Sequence, residues 1–226
     1  MKSYKTVISQ EFRNQYRTQW YEFILESKTI LGKFKRQVIR PSFPQLENGE
    51  INLHLGCGSI NHPKFINIDG LPAPHIHYIR AIDNLSPFRD NSVALIYACH
   101  CLEHFPHASV PRVLAEWFRV LKLGGTLRIS VPDFDLLLDI YKANGNELNM
   151  TLVESIMGGQ NYKFNFHMAI FNRSSLEGML RSTGFKEIQL WQPGSSELNT
   201  FNDWSNYKVL INGKHYPLSL NIEAVK

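Results

Sequence analysis

The chain has no long apolar run: none of its hydrophobic stretches approaches the roughly 18 residues of a membrane-spanning helix. Its opening, MKSYKTVISQ, is polar and holds no apolar core of a secretory leader, so a soluble, cytoplasmic protein is the expectation. Cysteine is scarce. Cys57, Cys99 and Cys101 are the three present, with no C-x-x-C spacing, which argues against a disulfide framework and gives no zinc signature. From spacing alone no metal is expected. An excess of charge of one sign is missing as well: the formal net charge is +4. Residues 1–40 carry nine Lys or Arg against three Glu, +6, which leaves the rest of the chain at −2. A basic face for nucleic acid is therefore absent from the body of the protein. Internal repeats and low-complexity tracts are absent too, which excludes solenoids and disordered linkers.

What remains is ordinary globular composition, 43% apolar and 12% aromatic over 226 residues, enough for one sizeable α/β domain and a short appendage. Its most informative stretch is Ile51 to Gly70, INLHLGCGSINHPKFINIDG. Ile51, Leu53 and Leu55 alternate as a strand does, and Gly56, Cys57 and Gly58 follow where the chain must turn. Glycine there lets backbone approach a ligand closely. A second strand, Phe65 to Ile68, ends in Asp69, whose carboxylate can accept from both hydroxyls of a ribose. A dinucleotide fingerprint would need a third glycine and an acid about 20 residues on. Asn61 stands in the glycine's place and Asp69 comes only eleven residues after Gly58, so the crossover is too short for a full helix. A helix N-terminus serves to seat pyrophosphate. Its absence points to a nucleoside ligand without phosphate, such as S-adenosyl-L-methionine.

Residues 10–40 read as a helix closed by Pro41 and Pro44, giving an arm over 1–48 ahead of a domain over 49–226. Basic residues flank aromatics on that arm, which suits either packing on the sheet or contact with a membrane surface or protein partner. Ile76 to Ile79 is a short strand, Asp83 to Ser92 a loop, and Val93 to Ala98 a strand buried on both faces. Pro111 to Leu123 is a helix that Ser109 can cap, stopped by Gly124 and Gly125. Thr126 to Val131 is a strand, Asp133 to Tyr141 a helix, and 144–173 an insertion at the ligand edge. Ser174 and Glu177 form a capping-box pattern for a helix through Thr183. Phe185 to Trp191 and Leu218 to Ala224 are the last strands. Alternating strands and helices imply an α/β fold with a mostly parallel sheet, whose ligands bind outside the carboxyl ends of the strands.

These motifs in this order, LHLGCGS, FINIDG, LSPFRDNSVALIYACHCLEHF and VLKLGGTLRISVPD, resemble class I S-adenosylmethionine-dependent methyltransferases of the small type-11-like group, over about Ile51 to Lys226. The resemblance implies a Rossmann-like sandwich with a seven-stranded, mostly parallel sheet, helices on both faces and S-adenosyl-L-methionine as cofactor. It implies Gly56, Cys57 and Gly58 along the methionine and ribose, Asp69 on the ribose hydroxyls, and Asp83 and Asn84 beside the adenine, with His100 at the same edge. Ser86-Pro87-Phe88 departs from the group's usual Leu-Pro-Phe. Small predicted methyltransferases of this kind are associated with sugar and cell-surface polysaccharide biosynthesis, which suggests a saccharide or other small hydroxylated acceptor.

Transfer from a sulfonium is an in-line displacement governed by alignment, and a hydroxyl acceptor also needs a base. His104, which matches the group's Glu-His pair, and His167 in the insertion are the expected bases, with Asp133 as the third candidate. His100 and Glu103 lie beside them, Glu103 being expected as a solvated or helix-capping charge. A nucleic-acid methyltransferase and a non-catalytic cofactor-binding module stay open as alternatives at this point.

Overall fold

The computed structural model describes residues 5–46, 49–194, 198 and 202–226, with the backbone alone for 5–19. A seven-stranded sheet forms its centre, in the order β3 (Tyr78–Ile79), β2 (Ile66–Asp69), β1 (Asn52–Leu55), β4 (Val93–Cys99), β5 (Leu121–Pro132), β9 (Ser219–Val225), β6 (Lys186–Leu190). β9 runs antiparallel to both its neighbours, and every other pairing in the sheet is parallel. Leu53, Leu55, Ile68, Ile96, Ala98, Leu127 and Ile129 face one side, where α2 (Val110–Val120) and α5 (Arg173–Thr183) bury Trp117, Leu114, Leu176 and Leu180 against them. The opposite side at the sheet's middle holds Phe65, Leu95, Tyr97 and Trp191. This is the seven-stranded architecture the sequence implies.

Strand order reverses between β1 and β4, so the carboxyl ends of these two strands open a crevice. The crossover from β1 to β2 contains no helix. In its place Gly56 (φ +63°) and Gly58 (φ +54°) turn the chain back through left-handed conformations that favour glycine. A Cβ on Gly56 would also stand 3.0 Å from Cys101 Cβ.

α1 (Lys5–Val38) lies against β3 by its C-terminal half. Gly32 permits the approach, since a Cβ there would meet Pro72 at 2.6 Å and Ile79 at 3.0 Å. Arg36 then donates to the carbonyls of Ala73, Pro74 and Ile76 at 2.7, 2.9 and 2.6 Å. Trp20, Phe23, Ile30, Leu31 and Phe34 remain exposed along the same helix.

Several local expectations are corrected. Ser109 ends a single 3-10 turn and makes no capping bond to α2. α2 stops at Val120; Leu121 to Leu123 are already extended, and Gly124 (φ +73°) and Gly125 form a bulge in β5 before Thr126 resumes the pairing. The capping box of α5 belongs to Asn172 and Ser175, while Glu177 pairs with Arg173 and Arg181 one turn either side. Asn172 wins because the helix begins two residues earlier, which puts its amide oxygen 3.0 Å from the Ser175 backbone nitrogen. A hairpin, β7 (Lys208–Ile211) and β8 (Lys214–Pro217), turns at Asn212-Gly213, both with positive φ. It packs Ile211 with Leu218 against Leu137 and Ile140 of α3 (Phe134–Ala143) and Leu152 of α4 (Met150–Met157). This small layer sits at the carboxyl end of the sheet and closes one side of the crevice.

Candidate active site

A cavity of about 620 Å³ opens at those carboxyl ends. Its walls are the turn Gly56 to Ile60, Cys99 and His100 at the end of β4, His104, one face of α4 with the following loop to His167, and the segment 202–207.

Asp69, at the end of β2, ties the glycine turn down. Its Oδ2 accepts from the Gly58 N–H at 2.9 Å and its Oδ1 from the Leu71 N–H at 2.8 Å. Each oxygen thereby keeps acceptor capacity for a further donor. His75 bonds the Gly58 carbonyl at 2.9 Å from the loop that Arg36 holds. Gly58 itself faces open space, with nothing within 4 Å of where a Cβ would stand. The segment after α4 covers the acid: the Phe164 ring lies 3.5 Å from where a Cβ on Gly70 would stand, and the nearby Asp69 charge adds to burial in raising the Tyr162 hydroxyl pKa.

The three thiols are held in the neutral form, since burial pushes Cys57, Cys99 and Cys101 all upward; none is a nucleophile at neutral pH. Glu103 is the largest surprise. Expected in solvent, it is 1% exposed, and neither of its carboxylate oxygens makes a well-formed hydrogen bond. A tight 3-10 turn at Leu102–His104 carries its side chain inward, and burial raises its pKa to about 8. Its Oε1 lies 3.4 Å from His100 Nδ1 and 4.0 Å from His167 Nε2. The rings of His104 and His167 meet edge-on, centroids 4.8 Å apart. Burial pulls all three histidines below their ordinary range, His100 to about 3 and His167 to about 4, so they are neutral at physiological pH.

Of the residues the sequence nominates, Gly56, Cys57, Gly58, His100, His104 and His167 share this one cavity. Asp69 stands behind the turn rather than on the cavity wall. Asp83 is paired with Arg112 at 2.7 Å, and Asn84 accepts from Arg80 at 2.8 Å. Asp133 caps α3 through the Asp135 N–H and does not line the cavity. Among the wall residues that escaped sequence reasoning are Trp204 and Tyr207, whose rings are 4.7 Å apart, and Asp203 and Asn202 beside them. Two aromatics in the polar run NDWSNY were the available signal.

Residues 64–129 match a family profile described as a methyltransferase domain. That stretch carries the match to a methyltransferase domain, and the fold around it is that of S-adenosylmethionine-dependent methyltransferases. Among solved structures, an S-adenosylmethionine-dependent methyltransferase from Thermotoga maritima, described as a possible histamine N-methyltransferase, has a TM-score of 0.51 at 17% identity, over 96% of this chain and 97% of that one. Another from Archaeoglobus fulgidus has a TM-score of 0.49 at 16% identity, over 92% and 98%. No curated protein matches the sequence. A methyltransferase domain implies S-adenosylmethionine as cofactor, and the turn fits it: two left-handed glycines present backbone rather than side chain to the crevice, no helix N-terminus is present there for a pyrophosphate, and Asp69 retains lone pairs. When bound, the cofactor supplies an electrophilic methyl group on sulfur. Gly56, Cys57 and Gly58 on the cavity wall are the residues that would hold it. Among the described residues, no helix is long and apolar enough to cross a membrane.

Proposed function

We propose that this methyltransferase transfers the methyl group to a hydroxyl of a saccharide-type acceptor. The observation that carries the reading is the make-up of the wall facing the glycine turn. Trp204 and Tyr207, 52% and 43% exposed, offer ring faces to the C–H faces of a sugar. Asn161, Asn165, Thr151 and Glu154 offer hydrogen-bonding groups in the same cavity. Gly56, Cys57 and Gly58 hold the methionine and ribose, Asp69 the ribose hydroxyls, and Asp83 and Asn84 border the adenine. His100 lies between cofactor and acceptor.

A hydroxyl must lose its proton as its oxygen attacks, and a neutral imidazole on the wall takes it. His104 is the first choice and His167 the second. The remaining chain, 49–226, is the catalytic unit, and the exposed aromatic face of the arm over 1–48 contacts a partner protein or a membrane surface. Three free cysteines suit a cytoplasmic setting.

Incubation with S-adenosylmethionine and a panel of oligosaccharides, nucleotide sugars, amines and nucleic acids tests the acceptor class, with S-adenosylhomocysteine release as the readout. Release dependent on a saccharide, and lost in Trp204→Ala, is the expected result. Release driven by amines or nucleic acid alone contradicts it.

A further inference from the structure

The groups gathered around Glu103 all bring lone pairs and no proton to share. His104 Nδ1 lies 3.1 Å from the Phe166 carbonyl and His167 Nδ1 2.9 Å from the Ser155 carbonyl. A carbonyl only accepts, so each Nδ1 carries the hydrogen and each Nε2 a lone pair. His100 is fixed in the opposite sense. Ser219 donates its one hydroxyl hydrogen to the Trp204 carbonyl at 2.7 Å, so at 2.7 Å it accepts from His100 Nε2–H. The lone pair of His100 Nδ1 is therefore the atom facing Glu103 Oε1 at 3.4 Å. One ligating atom from each of Glu103, His104 and His167 lies within 4.8 Å of the others.

Acceptors facing one another repel unless a positive charge lies between them. A proton on Glu103 can make one hydrogen bond at a time and leaves the remaining lone pairs opposed. A divalent cation meets them together. The scaffold for one is already in place, since each histidine is oriented through its other nitrogen by a backbone carbonyl, the usual support of a metal-binding imidazole. The two halves of the cluster, Glu103-His104 and His167, are 63 or more residues apart in sequence and are latched by the Glu103 carbonyl, which accepts from the N–H groups of Met168 at 2.7 Å and Ala169 at 3.2 Å.

We propose that Glu103, His104 and His167 form a binding site for one divalent transition-metal ion of the zinc class at the floor of the cavity. Two imidazole nitrogens and one carboxylate oxygen are a donor set that zinc accepts while keeping a further position open. Bonds of about 2.0–2.2 Å require ligand atoms about 3.3 Å apart, so the ligand atoms, within 4.8 Å of one another, draw together by up to roughly 1.5 Å on binding. His104 and His167 both line the cavity, so the open position faces the acceptor space, where a hydroxyl oxygen can take it. That last assignment rests on the acceptor reading above; the binding of the ion does not. Ion and proton compete for the same Nε2 lone pairs, so the ion and the imidazole base are alternatives at these atoms.

The full chain, stripped with a chelator and dialysed, is titrated with Zn²⁺ by calorimetry and with Co²⁺ by visible absorption. One equivalent of Zn²⁺ and a Co²⁺ ligand-field spectrum are expected. His104→Ala, His167→Ala and Glu103→Gln each weaken binding by at least 10-fold, while His215→Ala on the exposed hairpin strand leaves it unchanged. S-adenosylhomocysteine binding is measured on the same stripped protein, so failure of the metal site and failure of the cofactor site are read separately. No uptake by the unaltered chain, or equal uptake by all four variants, overturns the proposal.

Discussion

Gly58 and Asp69, eleven residues apart, are joined by a 2.9 Å bond from the glycine N–H to the carboxylate Oδ2, which makes the turn after β1 and the end of β2 one rigid unit. The acid shapes the turn, and in the function proposed above it also receives the ribose. Asp69→Ala is expected to weaken S-adenosylhomocysteine binding by about 1–3 kcal/mol, since charged acceptors are lost while their donors stay. Calorimetry checks this, and unchanged affinity in a folded variant removes Asp69 from the cofactor site.

Arg36 extends that unit to α1. Three of its hydrogen bonds go to carbonyls of residues 73–76, and His75 in the same loop holds the Gly58 carbonyl. Arg36→Ala is expected to cost about 1–3 kcal/mol of stability and to loosen cofactor binding in step. Thermal melts and calorimetry report the two effects. A melt that falls with affinity intact would show that α1 supports the fold without reaching the turn.

His54 sets an acid limit. It is buried among Phe65 and Tyr97, and burial, reinforced by His62 and His75, lowers its pKa to about 3. The unfolded chain takes up this proton below about pH 6.5 and the folded chain does not until about pH 3. Stability is thus full above pH 6.5 and declines as pH falls between these values. His54→Phe is expected to recover on the order of 3 kcal/mol at pH 4 relative to its effect at pH 7. Urea titrations at both pH values decide it; identical differences would mean that His54 titrates normally in the fold.

Much of this arrangement was legible in the sequence. The alternation of Leu53 and Leu55, the two glycines and Asp69 located the crevice because turn chemistry and strand periodicity are local signals. The apolar runs at Val93 and Thr126 marked central strands for the same reason. Glu103 was not legible, since its burial depends on Met168 and Ala169 binding its carbonyl from far along the chain. That His100, His104 and His167 share one edge was legible, but the direct contact of the His104 and His167 rings was not, since the same long-range latch creates it. The Ser109 and Ser174 caps failed because helix ends are settled by a residue or two, within which several polar side chains compete. The Asn212-Gly213 hairpin, in contrast, carried a plain local signal that passed unused.

The central claim is methyl transfer to an oxygen at the cavity bounded by Gly56–Gly58 and Trp204. The most direct measurement supplies S-adenosylmethionine with a trideuteriomethyl group, together with saccharide acceptors, and reads the product by mass spectrometry and carbon NMR. A deuterated methyl ether on a sugar carbon, formed by the unaltered chain and formed more slowly by Asp69→Ala at sub-saturating cofactor, is the expected result. A label found only on nitrogen, or no transfer to any acceptor despite tight S-adenosylhomocysteine binding, would contradict it.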